Sequence, residues 1–448
     1  MKKQKKRKPR ISQCMIVKNE EKNIERALSW GKEIMWEQIV VDTGSTDRTV
    51  ELAEGLGAKV CHFDWIDDFS AAKNYAIEQA KGDWIVFLDA DEYMTARDAR
   101  ELHGLIQDIE RGQASYLVIY MDYVNESEDG TLTRMGNNMR VFRRHRDLRY
   151  KGRIHEYVEK GSGEWEASDM LDGCGELTIY HTGGTDEAFL DTGKRERNIR
   201  LLQKELEERP DDYFMLGYLG NAYVTMGEKK LAAGAYERAV RAYEKAGRRP
   251  VRQNEHISGI FASLLECLCE RGEREERILE VYEEAVRAVT GESDFDYVVG
   301  MHFIGTGDWE RAVRHLERAL AQYQEYGNLF WGERLSRNLM AAREYLTVAC
   351  FNAGQREKCA EHCILFLRED RFAMGILKVL LAAFRSWLSG EEGARQTLEL
   401  LGKLYDLSAV RDRLFVLKAA RETGHGELES LVWSLFSPQE QMALAGKI

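Results

Sequence analysis

The chain has 448 residues, 44% of them hydrophobic and 31% charged, with a formal net charge of −12. That length exceeds what one hydrophobic core serves and predicts two to three domains of a soluble globular protein. The acidic balance argues against general nucleic-acid binding, and no apolar run reaches the roughly 20 residues that cross a bilayer. A cytoplasmic protein without a transmembrane segment is expected.

The first ten residues, MKKQKKRKPR, carry seven Lys or Arg. The apolar stretch that follows is too short for a signal-peptide core, so residues 1–10 read as a disordered basic tail. From Ile11 to about residue 190, short runs of branched and aromatic residues alternate with helical stretches, the pattern of an α/β domain. Strands are predicted at 11–17, 37–42, 58–63, 84–89 and 116–123, and helices at 20–30, 46–56, 69–81 and 97–111. Helical crossovers imply parallel strands, which put ligand sites at their carboxyl ends. After residue 123 the pattern loosens into hairpin-like pieces, with turns at SEDG (127–130) and KGSGE (160–164).

Successive strands end in acid. The first leads into KNEE with Glu20, QIVVD delivers Asp42, and GDWIVFLDADE delivers Asp89 and Asp91. The run Trp84–Leu88 has the content of a strand buried on both faces, and such strands do not tolerate acids. Carboxylates just beyond its end face a ligand, or they form a polar strand end turning into solvent. In an extended segment Asp89 and Asp91, at i and i+2, project to one side and can converge on one cation. Magnesium or manganese carrying a substrate diphosphate needs little more protein than that. A calcium loop starting at Asp89 fails, because Tyr93 and Met94 stand where Asp or Asn and then Gly are required. Neither a G-x-G-x-x-G nor a Walker loop follows a strand. For the helix after Asp42, Ser45 or Thr46 is the expected cap.

From about Arg195 the pattern is helical to the end, and it repeats. Relative to Gly227, small residues or large apolar ones stand at Gly220, Tyr223, Ala232, Tyr236 and Ala239; the same offsets from Gly307 give Gly300, Phe303, Ala312, Leu316 and Ala319. Blocks 213–246 and 293–326 resemble the helix-turn-helix unit of tetratricopeptide repeats, with weaker copies at Gly272, Gly354 and Gly390. Stacked helix pairs of this kind hold a peptide or another subunit, or serve only packing and dimerisation. The eight cysteines include no C-x-x-C and no paired zinc spacing; Cys359 and Cys363, four apart on a helix, fit core packing.

Four motifs in order, IVKNEEKNIERAL, IVVDTGSTDRTVELA, FSAAKNYAIEQAKGDWIVFLDADE and YKGRIHE, resemble cytoplasmic bacterial members of glycosyltransferase family 2. The resemblance implies a GT-A domain, a Rossmann-like and mainly parallel α/β sheet, over 11–190, followed by an all-α TPR-like repeat domain over 195–448. In architecture the chain is also similar to the S-glycosyltransferases that modify bacteriocin peptides. The family implies an inverting, metal-dependent transfer from a nucleotide sugar, UDP-linked, with Mn2+ or Mg2+ as cofactor. Glu20 and Asp42 would then contact base and ribose, Asp89 the ribose or the metal, and Asp91 the cation. Lys73 and Asn74 would reach the diphosphate, and Arg153 belongs with the same nucleotide-sugar set. His181, in TIYHTG, would complete the metal site. Inversion needs a base for the acceptor proton, and Glu156 and His155 are the two candidates. Arg140 and Arg143, in MRVFRR, add cationic charge nearby in sequence. The acceptor is a peptide, a protein or a saccharide, polysaccharide or lipid-linked saccharide included, and a homodimer through the repeats is compatible. The competing class is a TPR scaffold with a remnant GT-A domain.

Overall fold

The structure is a computed structural model that describes residues 8–112, 115–183, 192–247, 251–252, 255–327 and 333–444. Most of the expected basic tail, residues 1–7, lies outside the described residues. The chain divides into two compact units, residues 1–228 and 229–448.

The first unit is built on strands β1 (Ile11–Val17), β2 (Glu37–Asp42), β3 (Lys59–His62) and β4 (Trp84–Phe87). They lie in the order β3-β2-β1-β4, all parallel, with Val17 beside Asp42 and Asp42 beside His62. Helices α1 (Ile24–Ser29), α2 (Thr49–Gly55) and α3 (Phe69–Gln79) make the crossovers. Their starts at Ile24 and Thr49 fall three to four residues inside the predicted spans, because the loops between are occupied by side-chain-to-backbone bonds. β4 shows why the run around Ile85 reads as doubly buried. Trp84, Val86 and Leu88 pack toward Leu102, Ile106 and Ile109 of α4 (Ala96–Gly112), while Ile85 and Phe87 pack toward Ala76 and Ile77 of α3. Each such side chain removed from water contributes about 1.5–3 kcal/mol.

The fifth predicted strand does not join the parallel run directly. β6 (Val118–Glu126) pairs antiparallel with β7 (Leu132–Arg143), and β7 inserts between β4 and β6 by antiparallel pairing to β4. Beyond β6 come β10 (Met170–Asp172) and β11 (Thr178–His181), both parallel to it; β11 is flanked in turn by the short antiparallel β5 (Glu92–Tyr93). A separate hairpin joins β8 (Leu148–Lys151) to β9 (Tyr157–Lys160). The unit is thus the mixed, mainly parallel sheet of a GT-A fold. It also includes helices α5 (Thr192–Glu208) and α6 (Tyr213–Thr225), so the compact body runs past residues 190–195, where strands give way to helices in the sequence.

The second unit is helical apart from a pair of two-residue strands among its described residues. The block 293–326 forms helices Ser293–Thr306 and Trp309–Tyr326 packed on each other, with Gly307 in the left-handed region (φ 79°) as the C-cap between them. A left-handed cap suits Gly because it has no Cβ to clash. The spacing anticipates the packing: Phe303, Ala312, Leu316 and Ala319 are all 0% exposed, and a Cβ on Gly300 would lie 3.0 Å from Leu316 Cγ. Gly300→Val is therefore expected to lower the stability of this unit by about 1–3 kcal/mol through overpacking, read as a lower denaturant midpoint by circular dichroism. An unchanged midpoint would contradict the close approach. In the block 213–246, the division between units falls between its two helices, Tyr213–Thr225 and Lys229–Lys245. The weaker copies at Gly272 and Gly354 likewise place a positive-φ glycine between consecutive helices, and Gly424 marks a further one that the spacing does not reveal. Cys359 and Cys363 are fully buried, as core packing requires.

Candidate active site

Beyond the carboxyl ends of the parallel strands lies a cavity of about 780 Å³. That is within the 300–1,000 Å³ usual for ligand clefts. Its walls include Glu20, Lys73, Asp89, Asp91, His155, Glu156 and His181 from the sequence set, joined by Glu92, Arg140 and, from α5, Lys194, Arg197 and Asn198. Among the described residues three non-glycine residues have positive φ, and all belong to loops at this cavity: Asn19 and His155 line it, and Asp67 stands between the lining residues Trp65 and Phe69. Strained backbone of this kind persists where surrounding structure holds it, typically at functional sites.

Lys73 is the electrostatic centre. Its Nζ lies 3.1 Å from Asp89 Oδ1 and 2.7 Å from Glu156 Oε1, while its side chain is 2% exposed. The ammonium also sits 5.0 Å from the Phe87 ring centroid and 5.2 Å from that of Tyr150. Arg140 donates Nη2 to Asp89 Oδ2 at 3.0 Å and to Glu92 Oε1 at 2.6 Å. Burial pushes the Asp89 carboxyl up, but the Lys73 and Arg140 charges outweigh it and hold Asp89 well below the usual carboxylate range. Glu92 is 1% exposed, and burial raises its carboxyl above the ordinary value in spite of Arg140. Burial likewise raises Glu20, aided by the charges of Asp91 and Asp89 against the opposing bond from Asn23.

The D-x-D pair is arranged differently from the extended-strand expectation. β4 ends at Phe87, and residues 89–92 form a turn in which Glu92 N–H donates to Asp89 O at 3.0 Å and Glu92 Oε2 accepts from Asp89 N–H at 2.8 Å. Side chains on a turn do not alternate as on a strand, so Asp89 meets Lys73 and Arg140 while Asp91 meets His181. Pairing of β5 with β11 sets His181 opposite Glu92 and brings His181 Nε2 to 3.3 Å from Asp91 Oδ2. The other ring nitrogen, Nδ1, lies 2.9 Å from Asn125 Oδ1, which orients the imidazole. Burial opposes a charge on His181, but the Asp91 bond and charge raise its pKa. Gly183 makes room here: a Cβ on it would collide with the Asp91 carboxylate and come within 2.9 Å of His181 Nε2.

Three residues of the sequence set do not line the cavity. Asp42, 4% exposed, accepts from Gly44 N–H at 3.2 Å and Ser45 N–H at 3.0 Å, and its Oδ2 is 3.4 Å from His62 Nδ1. It shapes the β2–α2 turn, while Asp47, rather than Ser45 or Thr46, accepts from the first helical N–H at Thr49. Thr46 N–H goes to Asn19 Oδ1 instead. Asn74 clamps Tyr150 at both ends of its amide, donating to Tyr150 O at 2.8 Å and accepting from Tyr150 N at 2.9 Å. Arg153 turns away toward α5, with Nη2 2.5 Å from Glu208 Oε1 and its backbone N–H 3.0 Å from Glu205 Oε2. Arg143 is likewise structural, lying over the Trp84 ring and donating to Tyr116 O and Glu110. His155 stacks on Tyr218 of α6 at 3.6 Å between centroids and 7° between planes.

Sequence reading missed Glu92, although it stands in the same DADE run, and left Arg140 without a partner. It also missed α5, whose KRERN segment gave only a helical signal. Among the described residues no three His, Cys, Asp or Glu side chains form a ready-made metal site.

The family model of glycosyl transferase family 2 matches residues 12–164. A TPR repeat-containing protein of Synechococcus elongatus is 33% identical over 225 residues, covering 50% of this chain and 54% of that protein. The SPbeta prophage-derived glycosyltransferase SunS of Bacillus subtilis is 26% identical over 241 residues, covering 53% and 54% respectively. Among solved structures, the glucosyl-3-phosphoglycerate synthase of Mycobacterium tuberculosis, in complex with Mn2+, UDP and glucosyl-3-phosphoglycerate, shares 24% identity over 26% of this chain and 44% of its own, with a TM-score of 0.23. The chain spans about half, 54%, of the length of these two curated relatives. Residues 12–164 are thus similar to glycosyl transferase family 2, and they stand ahead of helices whose pattern resembles tetratricopeptide repeats.

Proposed function

We propose that this chain is a metal-dependent, inverting glycosyltransferase that moves a sugar from a UDP-linked donor to an acceptor. The observation that carries the reading is the convergence of Asp89, Asp91, His181, Lys73 and Glu156 on one cavity beyond the parallel strand ends. Kinship with a protein named as a glycosyltransferase supports the same class.

Glu20 and the loop 17–20 offer carboxylate and backbone groups suited to a base and ribose, whose N–H and hydroxyl groups donate. Lys194 and Arg197 bring positive charge suited to a diphosphate. Asp91 and His181 fit a divalent cation: one carboxylate and one oriented imidazole, with Gly183 leaving space beside both. Magnesium and manganese need only one or two such protein ligands when substrate phosphates supply the rest. Bound there, the cation would neutralise charge on the diphosphate. Asp89 does a different task, fixing Lys73 and Arg140 under the sugar site.

In the transfer an acceptor oxygen attacks the anomeric carbon from the face opposite the diphosphate. The bond from that carbon to the phosphate oxygen breaks, UDP leaves with the electron pair, and the acceptor proton passes to a base. Glu156 is the better placed base, because its carboxylate lines the cavity and is held by Lys73 at 2.7 Å. His155 has its ring committed to the Tyr218 stack. The helical unit, TPR-like, would present a peptide or saccharide acceptor or a second copy of the chain.

Calorimetric titration of the full chain with UDP tests the reading. Binding is expected to be at least tenfold tighter with Mn2+ than with a chelator present, and Asp91→Ala is expected to erase that difference. UDP that fails to bind, or a cation effect that survives in Asp91→Ala, would remove the basis for it.

A further inference from the structure

In the helical unit, residues 289–292 and 370–373 carry the chain from one helix pair to the next, but the corresponding link at 327–338 is longer and holds an extra helix, Glu333–Arg337, of 5 residues. A helix that short does not stand by itself in water, so contacts outside it hold it in place. Those contacts come from the first helices of two pairs, Glu255–Glu270 and Ser293–Thr306. Arg334 donates Nε to Glu266 Oε2 at 3.0 Å and Nη2 to Ser263 Oγ at 2.9 Å, and Nη2 also lies 3.0 Å from Glu266 Oε2. Asp294 accepts from the backbone N–H of Arg334 at 3.2 Å and of Leu335 at 2.9 Å, with Arg334 Nη1 3.9 Å away. Leu335 is 0% exposed, packed with Ala319 and Ala342 and against Tyr297 and Leu339.

The chain thus lays an arginine and the leucine after it into a cleft of its own helices. Ser263, Glu266 and Asp294 are not among the repeat positions that close a helix pair, so the repeat packing does not account for them. The cleft demands a cation with donors. Asp294 is 1% exposed and burial raises its carboxyl in spite of Arg334, so emptying the cleft would leave a buried acid without partners. A guanidinium meets Glu266 and Ser263 together through its fixed fork, whereas a lysine ammonium is a single point charge.

The occupant is also displaceable. The Arg334 side chain is 22% exposed and that of Glu266 46%, so the pair is open to water and to a competing guanidinium. The contact amounts to one part-exposed ion pair, two backbone bonds and one buried leucine. Covalent linkage gives such a segment a high effective concentration at its site, and a separate segment making more contacts can exceed it. We propose that this cleft is a recognition site for an arginine followed by an aliphatic residue in a partner polypeptide, and that Arg334 and Leu335 occupy it in cis until a partner displaces them. The proposal is independent of the donor-site reading.

The test uses the full chain and a fluorescein-labelled hexapeptide, ERLSRN, with the sequence of residues 333–338. In fluorescence anisotropy the chain carrying Arg334→Ala and Leu335→Ala is expected to bind it saturably, and the unaltered chain at least tenfold more weakly. A hexapeptide with lysine in place of its first arginine is expected to lose at least fivefold, and adding Glu266→Gln to the double variant to weaken the original peptide about tenfold. Equal affinity of the emptied and unaltered chains, or equal binding of the lysine peptide, would make 334–335 a structural brace and overturn the site. Should the double variant fail to fold, the unaltered chain decides: excess peptide is expected to speed hydrogen exchange of the Leu335 amide at least tenfold, and an unchanged rate would overturn displacement.

Discussion

Lys73→Met is expected to abolish sugar transfer, by at least about a thousandfold, and to destabilise the α/β unit by about 3–5 kcal/mol. Removing one partner of a buried ion pair leaves an uncompensated charge, and that penalty is of this size. Here two carboxylates lose their cation at once, Asp89 at 3.1 Å and Glu156 at 2.7 Å. Asp89 keeps Arg140, so the larger disturbance falls on Glu156. Methionine fills much of the same volume, which isolates the charge from a cavity effect. Urea unfolding followed by tryptophan fluorescence reads the stability, because Trp84 is fully buried in this unit. A loss below about 1 kcal/mol would mean that water screens the pairs as it does at a surface.

A fragment ending at residue 228 is expected to bind UDP with Mn2+, and one ending at residue 190 to bind at least a hundredfold more weakly. The shorter fragment lacks Lys194, Arg197 and Asn198, which line the cavity. It also loses the latch on two site loops. Glu205 accepts from Arg153 N–H, Tyr218 stacks on His155, and Arg200 and Lys204 hold Asp67 at 2.8 and 2.6 Å. Equal affinity of the two fragments would show that α5 and α6 are dispensable for the donor site.

This latch carries its own pH dependence. Burial pushes the Glu205 carboxyl up, but the Arg153 N–H and Arg209 outweigh it and lower the pKa below the ordinary value. A carboxyl lowered on folding stabilises fully above its unfolded value near pH 4.3, and that contribution is lost as pH falls through the lower folded value. Glu205→Gln is expected to flatten the acid limb of the unfolding curve of the 228-residue fragment in that window. An acid limb identical to that of the unaltered fragment would contradict the lowered pKa.

The legible part of the molecule was what local sequence chemistry dictates. An apolar run that ends in DADE cannot continue as a buried strand, so the position of the acids beyond β4 follows from the solvation cost of a carboxylate. Gly307 needs the left-handed region and Gly300 must admit Leu316, so the 293–326 hairpin follows from size and φ alone. Asp42 and Asn74 stand in the same motifs as Asp91 and Lys73, yet their side chains are spent on backbone two to 76 residues away. A motif fixes which residue is present and leaves open which way it faces.

The sequence by itself determined the α/β order, the acids at strand ends, the glycine turns of the repeats and the resemblance to family 2. Tertiary structure alone decided which acids share a cavity, because that depends on pairings between distant segments. β7 had to insert beside β4 before Arg140 could reach Asp89 and Glu92, and β11 had to pair with β5 before His181 could meet Asp91. The same holds for α5, whose cations complete the cleft only through long-range packing. Electrostatic energies depend on distance and burial together, and neither is a property of a residue read in its own segment.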